Sequence, residues 1–213
     1  MIASVKCRRV EFSVGARKLN GILRVPQVAK SIVVFAHGSG RYSPRNQFVA
    51  RILEQGGMAT LLLDLLDEDE ADDRAKVFDV EMLADRLQIA AHRLRQESET
   101  RTLRLGYFGA GAGAAAALIA AARNPDAVEA VVCRGGQLDL ADSYLAAIQA
   151  PTLLVVGAND REIVEANERA RLRLRCRKEL IVIPGASHFF EEPATLEEVA
   201  ELAKAWFARY LAR

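Results

Sequence analysis

Polar and apolar residues first alternate along this chain and then gather into short blocks. Val10, Phe12 and Val14 alternate with polar neighbours, and a second extended run over residues 19–25 ends at Pro26. With Gly15 between them, the two runs predict an antiparallel hairpin. Six apolar blocks follow, at residues 32–36, 59–63, 103–108, 128–133, 153–156 and 180–183. Each has the length of a strand and the continuous apolar character of one buried on both faces. Helical spacing fills the gaps. Phe48, Ile52 and Leu53 mark one helix, and Leu83, Leu87, Ala90 and Leu94 put an apolar stripe on a second. Residues 114–122 are almost all alanine and predict a helix packed closely on the sheet. The last helix opens at Thr195-Leu196-Glu197-Glu198, a capping-box pattern, and carries a stripe through Val199, Leu202, Trp206 and Tyr210. The charged stretch 67–74 reads as a solvated loop. Strands alternating with helices predict the α/β class: a mostly parallel sheet opened by the hairpin, helices on both faces and no large lid.

Composition narrows the setting. At 213 residues and 51% hydrophobic, the chain suits one well-buried core, so a single domain over 1–213 is expected. Lysine plus arginine (29) nearly balances aspartate plus glutamate (28), which argues against a nucleic-acid partner. Cys7, Cys133 and Cys176 are odd in number and lack metal-ligand spacing, as expected of free thiols in a reducing compartment. Residues 1–10 carry Lys6, Arg8 and Arg9 and no signal-like apolar core, and no uncharged run is long enough for a bilayer. A cytoplasmic protein without a membrane partner is the expectation.

Chemistry in an open α/β sheet sits beyond the carboxyl ends of the strands. Four turns there stand out. His37-Gly38-Ser39-Gly40 could expose backbone amides as an oxyanion hole, with Ser39 the best-placed donor, or be an ordinary glycine turn in which His37 is structural. Gly109-Ala110-Gly111-Ala112-Gly113 lies between a strand and a helix, where a nucleophile elbow reads Gly-x-Ser-x-Gly. Its frame survives, but the central residue is Gly111. Glycine cannot attack a carbonyl, yet it accepts the strained turn, so Gly111 is expected at a positive φ. Gly157-Ala158-Asn159-Asp160 offers a carboxylate that either orients a histidine or caps the next helix. Gly185-Ala186-Ser187-His188 supplies the histidine, and elbow, acid and histidine follow in the order of an α/β-hydrolase. Asp160 and His188 should then lie within hydrogen-bonding reach above Gly111. His92 is read as a surface or packing residue of its helix. Cys133 and Ser187 sit on no elbow and are read as a core thiol and a loop hydroxyl.

Taken together the chain resembles the dienelactone-hydrolase-like branch of the α/β-hydrolases. The resemblance rests on 36–40 with Ser43-Pro44-Arg45-Asn46, on 60–66, on Gly106-Tyr107-Phe108-Gly109-Ala110, on Arg134-Gly135-Gly136, on the Asp160 turn and on 188–193. It implies hydrolysis of an ester, lactone or similar bond in a small-molecule substrate, with no metal or organic cofactor. Asp160 would be the acid, His188 the general base, and the amides of Ser39 and Ala112 the oxyanion hole. Gly111 matches the serine or cysteine nucleophile by position alone, which implies an inactive or strongly impaired enzyme.

Two rivals belong to other classes. A non-catalytic protein could use the same pocket for a small carbonyl or carboxylate ligand. Arg41 and Arg45 could favour an anion there, although surface solvation is the plainer role for both. Alternatively, residues 109–114 fit Gly-x-Gly-x-x-Ala, a dinucleotide fingerprint. Against that stands Cys133-Arg134 at the end of the next strand, where an acidic residue would hold a ribose.

Overall fold

The computed structural model describes residues 5–37 and 43–212, with the side chain of His37 left aside. The predicted hairpin forms from β1 (Val5–Val14) and β2 (Arg17–Pro26), paired antiparallel. The six apolar blocks become β3 (Ser31–His37), β4 (Ala59–Asp64), β5 (Arg104–Ala110), β6 (Val128–Arg134), β7 (Thr152–Gly157) and β8 (Lys178–Ile183). All eight strands join one sheet in the order β1-β2-β4-β3-β5-β6-β7-β8. Strands β3 to β8 run parallel, while β2 meets β4 antiparallel and so attaches the hairpin to one edge.

Alternation along each strand sorts the core into two layers. Val33, Phe35, Phe108, Val132 and Val155 face α1 (Pro44–Gln55) and α7 (Thr195–Leu211), which contributes Val199, Trp206 and Phe207. Val34, Tyr107, Val131, Cys133 and Leu154 face the other way, against α4 (Val80–Gln96) and α5 (Ala112–Arg123). Leu83, Leu87, Ala90 and Leu94 all lie buried in that second layer. Helix α5 is buried over its first ten residues, and the small side chains that make up most of them let it sit close to the sheet. Helix α6 (Arg161–Arg173) packs beside β7 and β8. The phenol of Tyr107 lies in this core with no hydrogen-bond partner, and burial pushes its pKa well above the ordinary value.

Three expectations are corrected. Block 180–183 is not buried on both faces: β8 is the sheet's edge strand, and Val182 is 37% exposed. Stretch 67–74 is mostly exposed, as expected, but it is not a loop. It folds into α2 (Glu68–Ala71) and the start of α3 (Arg74–Val77), and it buries Glu70. Both carboxylate oxygens of Glu70 meet the guanidinium of Arg86, at 2.5 and 2.8 Å, and Arg86 also donates to the Leu65 carbonyl at 2.6 Å. Arg86 holds the Glu70 carboxyl down to a pKa of about 2. The capping box at α7 does not form either. Thr195 is already helical, its hydroxyl donates to the Glu192 carbonyl at 2.8 Å, and Ala194 precedes the helix at φ 66°. Between β4 and α4 the chain makes only α2 and α3, so no large lid covers the carboxyl edge among the described residues. Among the same residues no helix is long and apolar enough to cross a membrane.

Candidate active site

The carboxyl ends of β5 and β6, the start of α1, the end of α3 and the loop after β8 converge on a cavity of about 350 Å³. Gly111, Ala112, Arg134 and His188 line it, with Ser43, Arg45, Asn46, Val77, Phe78, Ala110, Gln137 and Phe189. A wider concavity of about 500 Å³, among Arg104, Glu129, Arg177 and Arg209, lies at the opposite ends of the strands.

Gly111 joins β5 to α5 at φ 56°, ψ −128°, a conformation costly for any residue with a Cβ. Three contacts hold the turn: the Gly111 amide donates to the Arg134 carbonyl at 3.4 Å, and the Gly111 carbonyl accepts the Ala114 amide at 3.1 Å and the Gln137 amide at 3.2 Å. A Cβ built on Gly111 would have nothing within 4 Å among the described residues, so the space where an elbow side chain would stand is open to them. Ala112 begins α5, and its amide is among the helix's first N–H groups, which lack an intrahelical acceptor.

Asp160 answers both roles weighed for it. Its Oδ1 accepts the Ile163 amide at 3.4 Å and caps α6, while Oδ2 lies 2.6 Å from Nδ1 of His188. The two loops can approach because residue 157 is glycine. A Cβ there would stand 2.5 Å from the carbonyl oxygens of Ala186 and Ser187. The His188 loop is fixed from its far side, where Glu192 accepts the Ser187 amide at 2.9 Å and its hydroxyl at 3.2 Å. The Ser187 amide holds the Glu192 carboxyl below its ordinary range. Phe190, buried at φ 55°, anchors the same turn, and Phe189 sets its ring edge-on to His188 at 4.8 Å.

The structure thus brings Gly111, Ala112 and His188 to one cavity, with Asp160 behind the histidine. Ser39, together with Gly38, Gly40 and Arg41, lies outside the described residues. Cys133 is buried in the core, and its thiol is pushed up by that burial, as an inert core cysteine should be. Arg45 is half-buried, 3.6 Å from Glu191 and stacked 4.9 Å over Phe189, rather than simply solvated. His92 is exposed and bonds Gln96. Among the described residues no three His, Cys, Asp or Glu side chains gather as a metal donor set would.

Sequence reasoning gave Arg134 no role in the site. It is 8% exposed, lines the cavity, and leaves Nη1 buried without a partner among the described residues. Burial, aided by Arg45, lowers its pKa to about 10. Asn46 likewise carries a buried side-chain oxygen at the cavity wall with no partner among the described residues. The one signal for Arg134 in the sequence is a charged residue ending an otherwise apolar strand.

Comparison with known proteins agrees with this architecture. The chain is 49% identical to a dienelactone hydrolase of Anabaena variabilis, whose crystal structure superposes with a TM-score of 0.93 over 97% of this chain and 99% of that one. Est1E of Butyrivibrio proteoclasticus, 16% identical, shares the fold with a TM-score of 0.83 over 96% of this chain and 99% of its own. Two Mycobacterium tuberculosis proteins (strains CDC 1551 and H37Rv), provisionally named phosphoribosyl transferases, are 49% identical over 204 residues. That match covers 95% of this chain and 46% of each of them, so the chain spans about half the length of these curated relatives. Residues 19–211 match the dienelactone hydrolase family, and with half-identity across nearly all of the Anabaena chain they make this chain a member of that family.

Proposed function

We propose that this chain carries the machinery of a metal-free ester or lactone hydrolase without its covalent nucleophile, so that it is inactive or strongly impaired. The observation that supports this reading is the 2.6 Å contact between Asp160 and His188 beside an open elbow at Gly111. With Nδ1 engaged by the carboxylate, Nε2 is the ring nitrogen left to take a proton in the cavity. Where a hydroxyl or thiol stands at the elbow, it would attack the carbonyl as His188 removes its proton. The Ala112 amide, and by family resemblance that of Ser39, would meet the developing oxyanion. Glycine supplies no such atom. Turnover in this chain would instead need a water in the open space, which gives its proton to His188 as its oxygen adds to the carbonyl. His188 then returns that proton to the departing alcohol, leaving acid and alcohol as products. Losing a triad nucleophile costs about 10⁶ in turnover where it has been measured, so this route is slow.

A panel of esters, lactones and thioesters, assayed with the parent chain and with Gly111→Ser, tests the reading. The variant should gain an activity that Gly111→Ser/His188→Ala loses. A folded Gly111→Ser protein inert across the panel would favour the second reading, a non-catalytic receptor, which the unpartnered Arg134 in the cavity supports.

A further inference from the structure

The chain is nearly neutral overall, yet residues 169–178 carry five arginines, a lysine and no acidic residue. Arg169 lies 4.0 Å from Glu165, Arg173 meets Asp142, and the Lys178 ammonium donates to the Leu174 carbonyl. Arg171, Arg175 and Arg177 have no counter-ion among the described residues. All three are exposed, and water suffices for a charge on an open face. Arg177 differs in its setting. It lines the concavity of about 500 Å³ at the amino ends of the strands, with its main chain fixed beside β7 where its carbonyl accepts the Thr152 amide at 2.8 Å.

Two further guanidiniums line that hollow, and each comes from a separate element. Arg104 opens β5, and Arg209 lies in the last turn of α7. Among the described residues the one carboxylate in the lining is Glu129, and it meets Arg104. Arg209 has only the exposed Glu179 at 3.8 Å, a contact that holds it weakly. Under Arg209 lies the ring of Tyr210, 5.3 Å from Cζ, and the enclosed phenol has no hydrogen-bond partner among the described residues. Val128, Ala150 and Pro151 give the hollow an apolar floor. Three guanidiniums against one carboxylate leave two positive charges over in the lining. A dianion matches that excess. Forks reaching in from different elements suit an anion with acceptors on several sides, and a phosphoryl group presents three oxygens where a planar carboxylate presents two.

We infer that this concavity binds a small organic phosphate monoester, its phosphoryl group between Arg177 and Arg209 and its carbon body over Val128 and Pro151. The site lies at the far ends of the strands from Gly111 and depends on neither reading of that cavity. Calorimetric titration of the whole chain with phenyl phosphate, benzenesulfonate and inorganic phosphate tests it, at about pH 8, where the monoester is a dianion. Phenyl phosphate should bind about fivefold or more tighter than benzenesulfonate, which has the same ring and one charge fewer. It should also bind tighter than inorganic phosphate, which has no carbon body for the floor. Arg177→Gln/Arg209→Gln should weaken phenyl phosphate on the order of tenfold or more, and Arg177→Lys/Arg209→Lys should keep part of the affinity. Arg171→Gln/Arg175→Gln removes as much charge from outside the hollow and should change binding by no more than about twofold. Undiminished binding by Arg177→Gln/Arg209→Gln overturns the inference, since a ligand seated beside Arg134 would survive that change. Equal losses in the two glutamine pairs also overturn it, because they mean a diffuse basic field. Equal affinity for phenyl phosphate and benzenesulfonate overturns the dianion, and equal affinity for phenyl phosphate and inorganic phosphate overturns the ester. These last two comparisons are read on the unsubstituted chain, so they decide whether or not a variant folds.

Discussion

Oδ2 of Asp160 stands 2.6 Å from Nδ1 of His188 while Oδ1 of the same carboxylate caps α6 through the Ile163 amide. One side chain therefore ties the histidine to the amino end of a helix, and the helix fixes the direction from which the imidazole is held. The two jobs can be separated by substitution. Asparagine caps helices about as well as aspartate, so Asp160→Asn should change stability by only a few tenths of a kcal/mol, roughly. It cannot hold the imidazole in the same tautomer. In the Gly111→Ser background it should lower kcat by about 10⁴, as the equivalent change does in a serine protease. Thermal melts and ester kinetics on the same preparations check this. A large loss of stability with kcat unchanged would make Asp160 a cap and nothing more.

Glu70 sets a pH limit on the fold. Its side chain is 2% exposed, that of Arg86 is 5% exposed, and its pKa falls from an ordinary 4.5 to about 2 on folding. A carboxyl with a depressed folded pKa contributes stability that is fully present above its unfolded value and lost as pH falls toward the folded one. Glu70→Gln should cost about 3 kcal/mol at pH 7, because it also leaves Arg86 buried without its anion. The gap between parent and variant should narrow between pH about 4.5 and 2. Urea unfolding at pH 7 and pH 3 reads both; an equal gap at the two pH values would contradict the linkage.

Tyr107 offers a gain instead of a loss. Its hydroxyl is fully buried with no partner, so Tyr107→Phe should raise stability by about 0.5–1 kcal/mol, a rise in Tm of roughly 2 °C. Calorimetry would show it. A fall in Tm would reveal a partner for the phenol, such as an enclosed water.

The parts of this fold legible in the sequence are those governed by local apolar pattern. The hairpin, the six strand blocks and the stripe of α4 all depend on which positions face a core, and period and run length report that directly. The same signal misplaces β8, because an apolar run looks alike at the centre and at the edge of a sheet. Glu70 illustrates a second limit. Its neighbours form a charged cluster, and the Arg86 that buries it comes from α4, so the pairing depends on the packing of α4 against that turn. At the site, glycine spacing and chain order pointed to Gly111, Asp160 and His188. Arg134 is not legible in this way, because nothing local distinguishes a strand-ending arginine that turns into a cavity from one that turns to solvent.

On the proposed reading, a proton-relay pair stands beside an elbow lacking only its nucleophile. Covalent labelling with a fluorophosphonate, read by intact and peptide mass, tests it most directly, because such reagents trap an activated hydroxyl whatever the natural substrate. The parent should stay unlabelled, Gly111→Ser should gain a single adduct at position 111, and Gly111→Ser/His188→Ala should label slower by orders of magnitude. A folded Gly111→Ser protein without an adduct at that position, or a parent labelled to the same extent, would contradict it.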